Sequence, residues 1–276
     1  MSNSEPIKLE YWHSRDLAQR KNWYSAVAEN YNKARPLYPQ ELINRVVELT
    51  QLLSDSTILE IGCGSGQATR GFAALGLSMT CLEPSFAASQ LAKQNCVAYP
   101  KVKINNTSLE EWELEAGKFD AVLAANAWHW LPPEVSYPKS VQALKPGGYL
   151  IVLWNMSPYP SYDIYQELDK VYQVHAPHLS RYETPQDQVN ILRQLGKKII
   201  DSQYFDSLQS EHFLQKKTYK IDDYLLLLQT FSSYLELSSD QREVLFLELR
   251  KALKNFCQDR LDVDYLSAFH LARVKK

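Results

Sequence analysis

The residues with the plainest chemical potential form one run, Ile58-Leu59-Glu60-Ile61-Gly62-Cys63-Gly64-Ser65-Gly66-Gln67-Ala68-Thr69, a strand pattern that enters a glycine turn and then a helix. A turn without Cβ atoms lets a ligand lie against the backbone, and the N–H groups that open the next helix face a carboxylate or phosphate. The G-x-G-x-G spacing departs from a dinucleotide fingerprint, whose third glycine would fall where the chain has Gln67. Glu60, two residues before the first glycine, would repel a pyrophosphate and attract an α-amino group or a sulfonium. Glu83 ends the next apolar run, ahead of Pro84 and Ser85, where a carboxylate can accept both hydroxyls of a ribose. Together these residues ask for a ribose-bearing ligand with a cationic tail.

The elements that must position them are legible on either side. Short apolar runs at 57–62, 78–83, 102–105, 119–125 and 148–154 alternate with helical stretches at about 65–75, 85–96 and 134–144, the pattern of a parallel sheet with crossover helices. Lys145-Pro146-Gly147-Gly148 stops the last helix and starts the last strand, because proline cannot continue a helix and glycine accepts positive φ. Ahead of the sheet, 16–32 and 40–53 read as helices with a proline-bounded turn between them. After Asn155 the alternation breaks. A helix fits 163–175, HAPHLSRYETPQD reads as irregular, and 156–220 is expected to be an insertion over the sheet. Helices follow from about Asp222 and from Ser238, where Ser238 and Gln241 match a capping box, and 261–274 reads as a terminal strand. The implied division is a helical cap at 1–54, a core at 55–155, the insertion at 156–220, and C-terminal helices with a final strand at 221–276.

Composition narrows the class. The 276 residues are 45% apolar, enough for one large α/β domain, and 30 basic against 32 acidic residues leave a net charge of -2, which lacks the basic footprint of a nucleic-acid binder. No apolar run approaches a membrane span, and the polar, mixed-charge N-terminus carries no secretory pattern, so a cytoplasmic location is expected. Cys63, Cys81, Cys96 and Cys257 form no CxxC pair and read as reduced thiols. His175 and His178 have an H-x2-H spacing without completing ligands, so no metal site is expected. Six tryptophans and 17 tyrosines are a surplus that fills a core or lines a pocket. One cluster, Tyr11-Trp12-His13, lies near the N-terminus.

The run from Glu60 to Gly66, Glu83 at the second strand end and the Lys145–Gly148 turn resemble the class I S-adenosylmethionine-dependent methyltransferases, closely over about residues 31–155. The resemblance implies a Rossmann-like, mostly parallel seven-stranded sheet with helices on both faces, an N-terminal helical cap and a lid after strand 5. It implies S-adenosylmethionine as cofactor and S-adenosylhomocysteine as product. Gly62, Gly64 and Gly66 would approach the methionine part, Glu60 its amino group, and Glu83 the ribose. Ser108 and Leu109 would border the adenine, although Ser108 stands where many relatives have an acid.

Tyr31-x-x-x-Arg35-Pro36-x-Tyr38-Pro39 and Ala125-Asn126-Ala127-Trp128-His129-Trp130 look like the branch of trans-aconitate and malonyl-acyl-carrier-protein methyltransferases. They add Tyr31, Arg35 and Asn126 to the expected cofactor contacts, with Arg35 pairing to the methionine carboxylate. His129 follows a strand end on the ligand side of the sheet, where it could serve as a general base or orient an acceptor carboxylate. The expected acceptor is a small organic molecule, a carboxylate or lipid-like. The alternatives are a cofactor-binding protein without turnover and a nicotinamide-dependent oxidoreductase, the latter disfavoured by Glu60 and Gln67.

Overall fold

Strands rich in branched apolar residues, each too short to bury itself, pair side by side. In the computed structural model, which describes residues 16–23 and 25–275, β1 (Thr57–Ile61), β2 (Ser78–Leu82), β3 (Val102–Asn105), β4 (Phe119–Ala125) and β5 (Leu144–Asn155) run parallel in the order β3-β2-β1-β4-β5. The order reverses between β1 and β4, so the crossovers leave a crevice above their carboxyl ends. The Tyr11-Trp12-His13 cluster lies outside the described residues.

Alternation along the strands sends side chains to two faces. Ile58, Leu123, Ile151 and Phe269 meet Leu42, Ile43 and Val46 of one helix on one face, while Leu59, Val122 and Val152 meet Leu192 and Ile199 of another on the opposite face. These helices are α3 (Gln40–Thr50), which follows α1 (Leu17–Trp23) and α2 (Ala28–Ala34), and α8 (Pro185–Asp201), which comes after α4 (Gln67–Ala73), α5 (Phe86–Asn95), α6 (Pro133–Ala143) and α7 (Tyr162–His175). The stretch expected as one helix at 16–32 is broken at 25–27, where the Ser25 hydroxyl bonds the Lys21 carbonyl at 3.2 Å and the Ser85 hydroxyl at 3.0 Å. Helix α3 stops at Gln51, whose φ of 54° is left-handed.

The expected insertion at 156–220 divides. Its first part forms β6 (Tyr159–Pro160), α7 and α8, and α8 carries a full capping box between Thr184 and Asp187 inside the piece expected to be irregular. Its last sixteen residues do not lie over the sheet but join it: β7 (Phe205–Lys220) is a long strand, antiparallel to β8 (Arg260–Val274). Between them come α9 (Ile221–Leu228), α10 (Ser232–Leu235) and α11 (Ser239–Phe256), with the Ser238/Gln241 capping box in place. One edge of β8 pairs antiparallel with β5 and, farther along, with β6; the other pairs with β7. The mixed sheet therefore has eight strands. Among the described residues no helix is long and apolar enough to cross a membrane.

Lys145-Pro146-Gly147-Gly148 lies at the end of the sheet opposite the crevice. Lys145 pairs with Asp120 at 2.8 Å, Asp120 accepts the Thr57 N–H at 2.8 Å, and a Cβ on Gly148 would meet the Asp120 carbonyl at 3.0 Å. The motif fastens the strand starts and takes no part in the site.

Because β8 holds the antiparallel half to the parallel half, its fully buried Phe269 is a point of leverage. Phe269→Ala is expected to lower unfolding stability by about 3–5 kcal/mol, read from urea denaturation followed by circular dichroism.

Candidate functional site

The crevice is a cleft of about 480 Å³. Its floor is the turn after β1. Gly62 and Gly64 both line it with left-handed φ values of 66° and 57°, and a Cβ on Gly62 would meet the Ala127 Cβ at 2.9 Å. Gly62 and Cys63 donate their N–H groups to the Leu82 carbonyl at 2.8 and 3.1 Å, wrapping the turn around the end of β2. Gly66 does not line the cleft. Its φ of 86° starts α4, and a Cβ there would meet the Cys96 Sγ at 3.1 Å, so its smallness serves packing, not ligand approach.

Glu83 lines the cleft at the end of β2. Its carboxylate accepts the Gly64 N–H at Oε2 and the Ser85 N–H at Oε1, both at 2.8 Å. Burial raises its pKa to about 7 against those two hydrogen bonds. Each carboxylate oxygen has a second lone pair for a ligand hydroxyl.

Glu60 departs from its expected place. It is fully buried beneath the turn and absent from the cleft lining; Oε2 accepts the Thr69 hydroxyl at 2.6 Å and the Cys81 thiol at 3.7 Å, while Oε1 is an orphaned buried oxygen. Burial, opposed by those two hydrogen bonds and assisted by the charge of Glu83, lifts its pKa to about 7.

A small annex of about 40 Å³ opens beside Gly62 and Gly64, bounded by Tyr31, Arg35, Tyr38, Gln67 and Asn126. The Nε2 of Gln67, first residue of α4, is buried there without a hydrogen-bond partner. Arg35 lines both spaces, donating from Nε and Nη2 to Thr230 at 2.8 and 3.0 Å and lying 3.9 Å over the Phe231 ring and 5.0 Å over Tyr31. Asn126 holds a left-handed φ of 50°, a strain its amide offsets: Oδ1 accepts Tyr38 OH at 2.5 Å and the Asn155 N–H at 2.7 Å, and Nδ2 donates to the Asn155 carbonyl at 3.0 Å. A glycine cradle, a strand-end carboxylate and an unpartnered amide beside an arginine fit a nucleoside with an amino-acid tail.

On the far wall, Ser108 and Leu109 line the cleft, with the Ser108 hydroxyl donating to Glu111 at 3.3 Å and Lys21 pairing with Glu111 at 2.6 Å. Opposite, His129 stands between Trp130 and Trp154, with ring centroids 5.7 and 5.5 Å away, and all three line the cleft. Trp128 instead packs edge-on against Tyr137 at 5.2 Å behind that wall.

Comparison with known proteins decides the family. Residues 59–152 match the methyltransferase domain family. A protein of Dictyostelium discoideum named as a methyltransferase is 30% identical over 195 residues, covering 71% of this chain and 68% of its own. This chain belongs to the methyltransferase domain family. A protein of Mycobacterium tuberculosis named as an uncharacterized methyltransferase is 30% identical over 125 residues, 45% of this chain and 49% of its own, so the chain spans about half the length of the mycobacterial relatives it matches. A structure from Anaeromyxobacter dehalogenans described as a type II methyltransferase shares the fold, with a TM-score of 0.63 at 21% identity over 87% of this chain and 97% of that one.

Against that family background, three site residues escaped the sequence reading. Gln67 reads in sequence only as a missing glycine, although its place at the start of a helix is a signal for a ligand-facing amide. Arg181 and Glu183, which line the cleft from the α7–α8 segment, sat in the piece read as irregular; the Thr184-Pro185-x-Asp187 cap just after them was the available signal.

The pKa of Glu60 gives this methyltransferase-family chain a signed pH dependence. A carboxyl raised from 4.5 to about 7 binds more protons folded than unfolded across that window, so its contribution to stability falls as pH rises through it. Glu60→Gln removes that slope. Wild-type stability minus variant stability is expected to drop by ~1–3 kcal/mol between pH 4.5 and 7.5, measured by urea unfolding of the ligand-free protein; a flat difference would overturn the assignment.

Proposed function

We propose that this chain binds S-adenosylmethionine in the cleft and transfers its methyl group to a small organic acceptor, releasing S-adenosylhomocysteine. One observation carries the reading: a buried strand-end carboxylate, Glu83, faces the same cleft as Gly62 and Gly64 and is aimed by the backbone N–H groups of Gly64 and Ser85. Glu83 would accept the ribose hydroxyls, Gly62 and Gly64 would admit the amino-acid tail, and the Gln67 amide with Arg35 would receive its carboxylate in the annex. Leu109 and Ser108 would border the base. Glu60, buried beneath the turn, would act indirectly, by tying Thr69 of α4 to Cys81 of β2. Bound there, the cofactor supplies an electrophilic methyl on a sulfonium.

Residues 17–35 would serve as a cap, since Leu17, Lys21, Tyr31 and Arg35 line the cleft from that side. The segment from Met156 to Leu195 would shape the acceptor half. Methyl transfer is driven mainly by alignment, so the aromatic wall of Trp130, His129 and Trp154 needs only to orient the acceptor and exclude water. Of the expected acceptor types, the apolar body of a lipid-like molecule has the more support: Leu131, Met156, Ile191 and Leu195 line this half. A carboxylate acceptor rests on the branch resemblance alone.

Calorimetry with S-adenosylhomocysteine tests the reading. Glu83→Ala is expected to weaken binding by about 1.5–3 kcal/mol, the worth of hydrogen bonds to a charged group; unchanged affinity would remove the assignment. Gly64→Val places a branched side chain at φ 57° on the cleft floor and is expected to abolish binding while circular dichroism stays native. Normal binding by that variant would put the ligand elsewhere.

A further inference from the structure

Among the described residues three carboxylates line the cleft: Glu83, Glu110 and Glu183. The first two stand on the half built by the turns after β1, β2 and β3. Glu183 stands alone on the other half, among Trp154, Met156, Ile191 and Leu195, in the segment joining α7 to α8. Its side chain is 19% exposed and meets Arg181 at 3.1 Å, while Arg181 is 54% exposed at the rim. The anion is thus the inner member of the pair.

The backbone here is fixed. Thr184 next to it caps α8 reciprocally with Asp187, and the fully buried Gln188 donates to the Ser157 carbonyl at 2.8 Å and accepts the Leu266 N–H at 3.1 Å, fastening the first turn of α8 to β8. Burial raises the pKa of Glu183, opposed by Arg181 and Gln188 and assisted by the charge of Asp187. A half-cleft with apolar and aromatic walls and one inner carboxylate has a definite complement. It suits an apolar molecule that presents a hydrogen-bond donor, and it penalises one that presents a second anion.

We infer that Glu183 is a specificity-determining residue of the acceptor site, selecting apolar acceptors that carry an amine or hydroxyl and rejecting carboxylates. This rests on the methyl-transfer reading above and sharpens its acceptor class. Arg181 neutralises the carboxylate from the solvent side, so the pair tolerates a neutral hydroxyl and favours an ammonium.

The test uses the full chain saturated with S-adenosylhomocysteine and three probes with one apolar body: 4-butylbenzylamine, 4-butylphenol and 4-butylbenzoate, titrated by calorimetry. The amine and the phenol are expected to bind at least about tenfold more tightly than the benzoate. Glu183→Gln is expected to lose the preference for the amine, and Glu183→Ala, which releases Arg181, to raise benzoate affinity, both with unchanged S-adenosylhomocysteine binding. Benzoate bound as tightly as the amine by the wild-type protein, an unaltered order in Glu183→Gln, or no binding of any probe would overturn the inference. Those results with normal S-adenosylhomocysteine affinity leave the cofactor site standing; failure to bind S-adenosylhomocysteine removes both.

Discussion

The Glu83 carboxylate ties the turn after β1 to the start of α5 with both of its oxygens. One oxygen accepts the Gly64 N–H from the turn after β1, and the other accepts the Ser85 N–H that leads into α5. Gly64 can offer its N–H only because its left-handed φ turns the backbone inward. Ser85 in turn caps α5 through its hydroxyl and reaches Ser25 in the N-terminal segment. From one buried carboxylate the geometry spreads to a glycine turn, two helix starts and the break between α1 and α2. The cost is a charge held away from water, visible in a pKa near 7, and two backbone donors offset part of it.

This locality explains which half of the molecule can be read from residues in order. Gly62, Gly64 and Glu83 sit within one strand–turn–helix–strand unit, where spacing fixes position, and β1 to β5 announce themselves as apolar runs. Glu60 shows where spacing misleads: two residues before the glycine it is fully buried, held by the Thr69 hydroxyl of α4 and the Cys81 thiol of β2, and Ile61 and Gly62 line the cleft in its place. Gly66 likewise matches the motif yet spends its missing Cβ on Cys96. Strand β7 was illegible for another reason. At the sheet's edge the residues between the buried Phe205 and Tyr219 are half-exposed or exposed, Glu, Gln and Lys among them, so no apolar run marks it; only pairing with β8 makes it a strand.

Another part of the cleft is assembled by contacts remote in sequence. Arg35 is held by Thr230, 195 positions away, and stacks on Phe231 at the turn between α9 and α10. Asn155 donates its side-chain amide to the Pro36 carbonyl at 3.1 Å and accepts the Ser267 hydroxyl at 2.5 Å, joining the N-terminal segment, β5 and β8. No local periodicity encodes such meetings.

That contrast has a consequence for how such a site diverges. The cofactor half is constrained atom by atom: a Cβ at Gly62 collides with Ala127, and each oxygen of Glu83 already has a backbone partner. The residues lining the other half of the cleft come from α8 and from the segment before it, fastened to the sheet by Gln188 and the Thr184 cap; Glu183 meets Gln188 itself, while Ile191 and Leu195 share none of those fastening bonds. They can change without unpinning the scaffold. A fold that separates fastening residues from facing residues can keep one cofactor while its acceptor chemistry shifts, and among the described residues the facing set here is largely apolar, with Glu183 as its inner carboxylate.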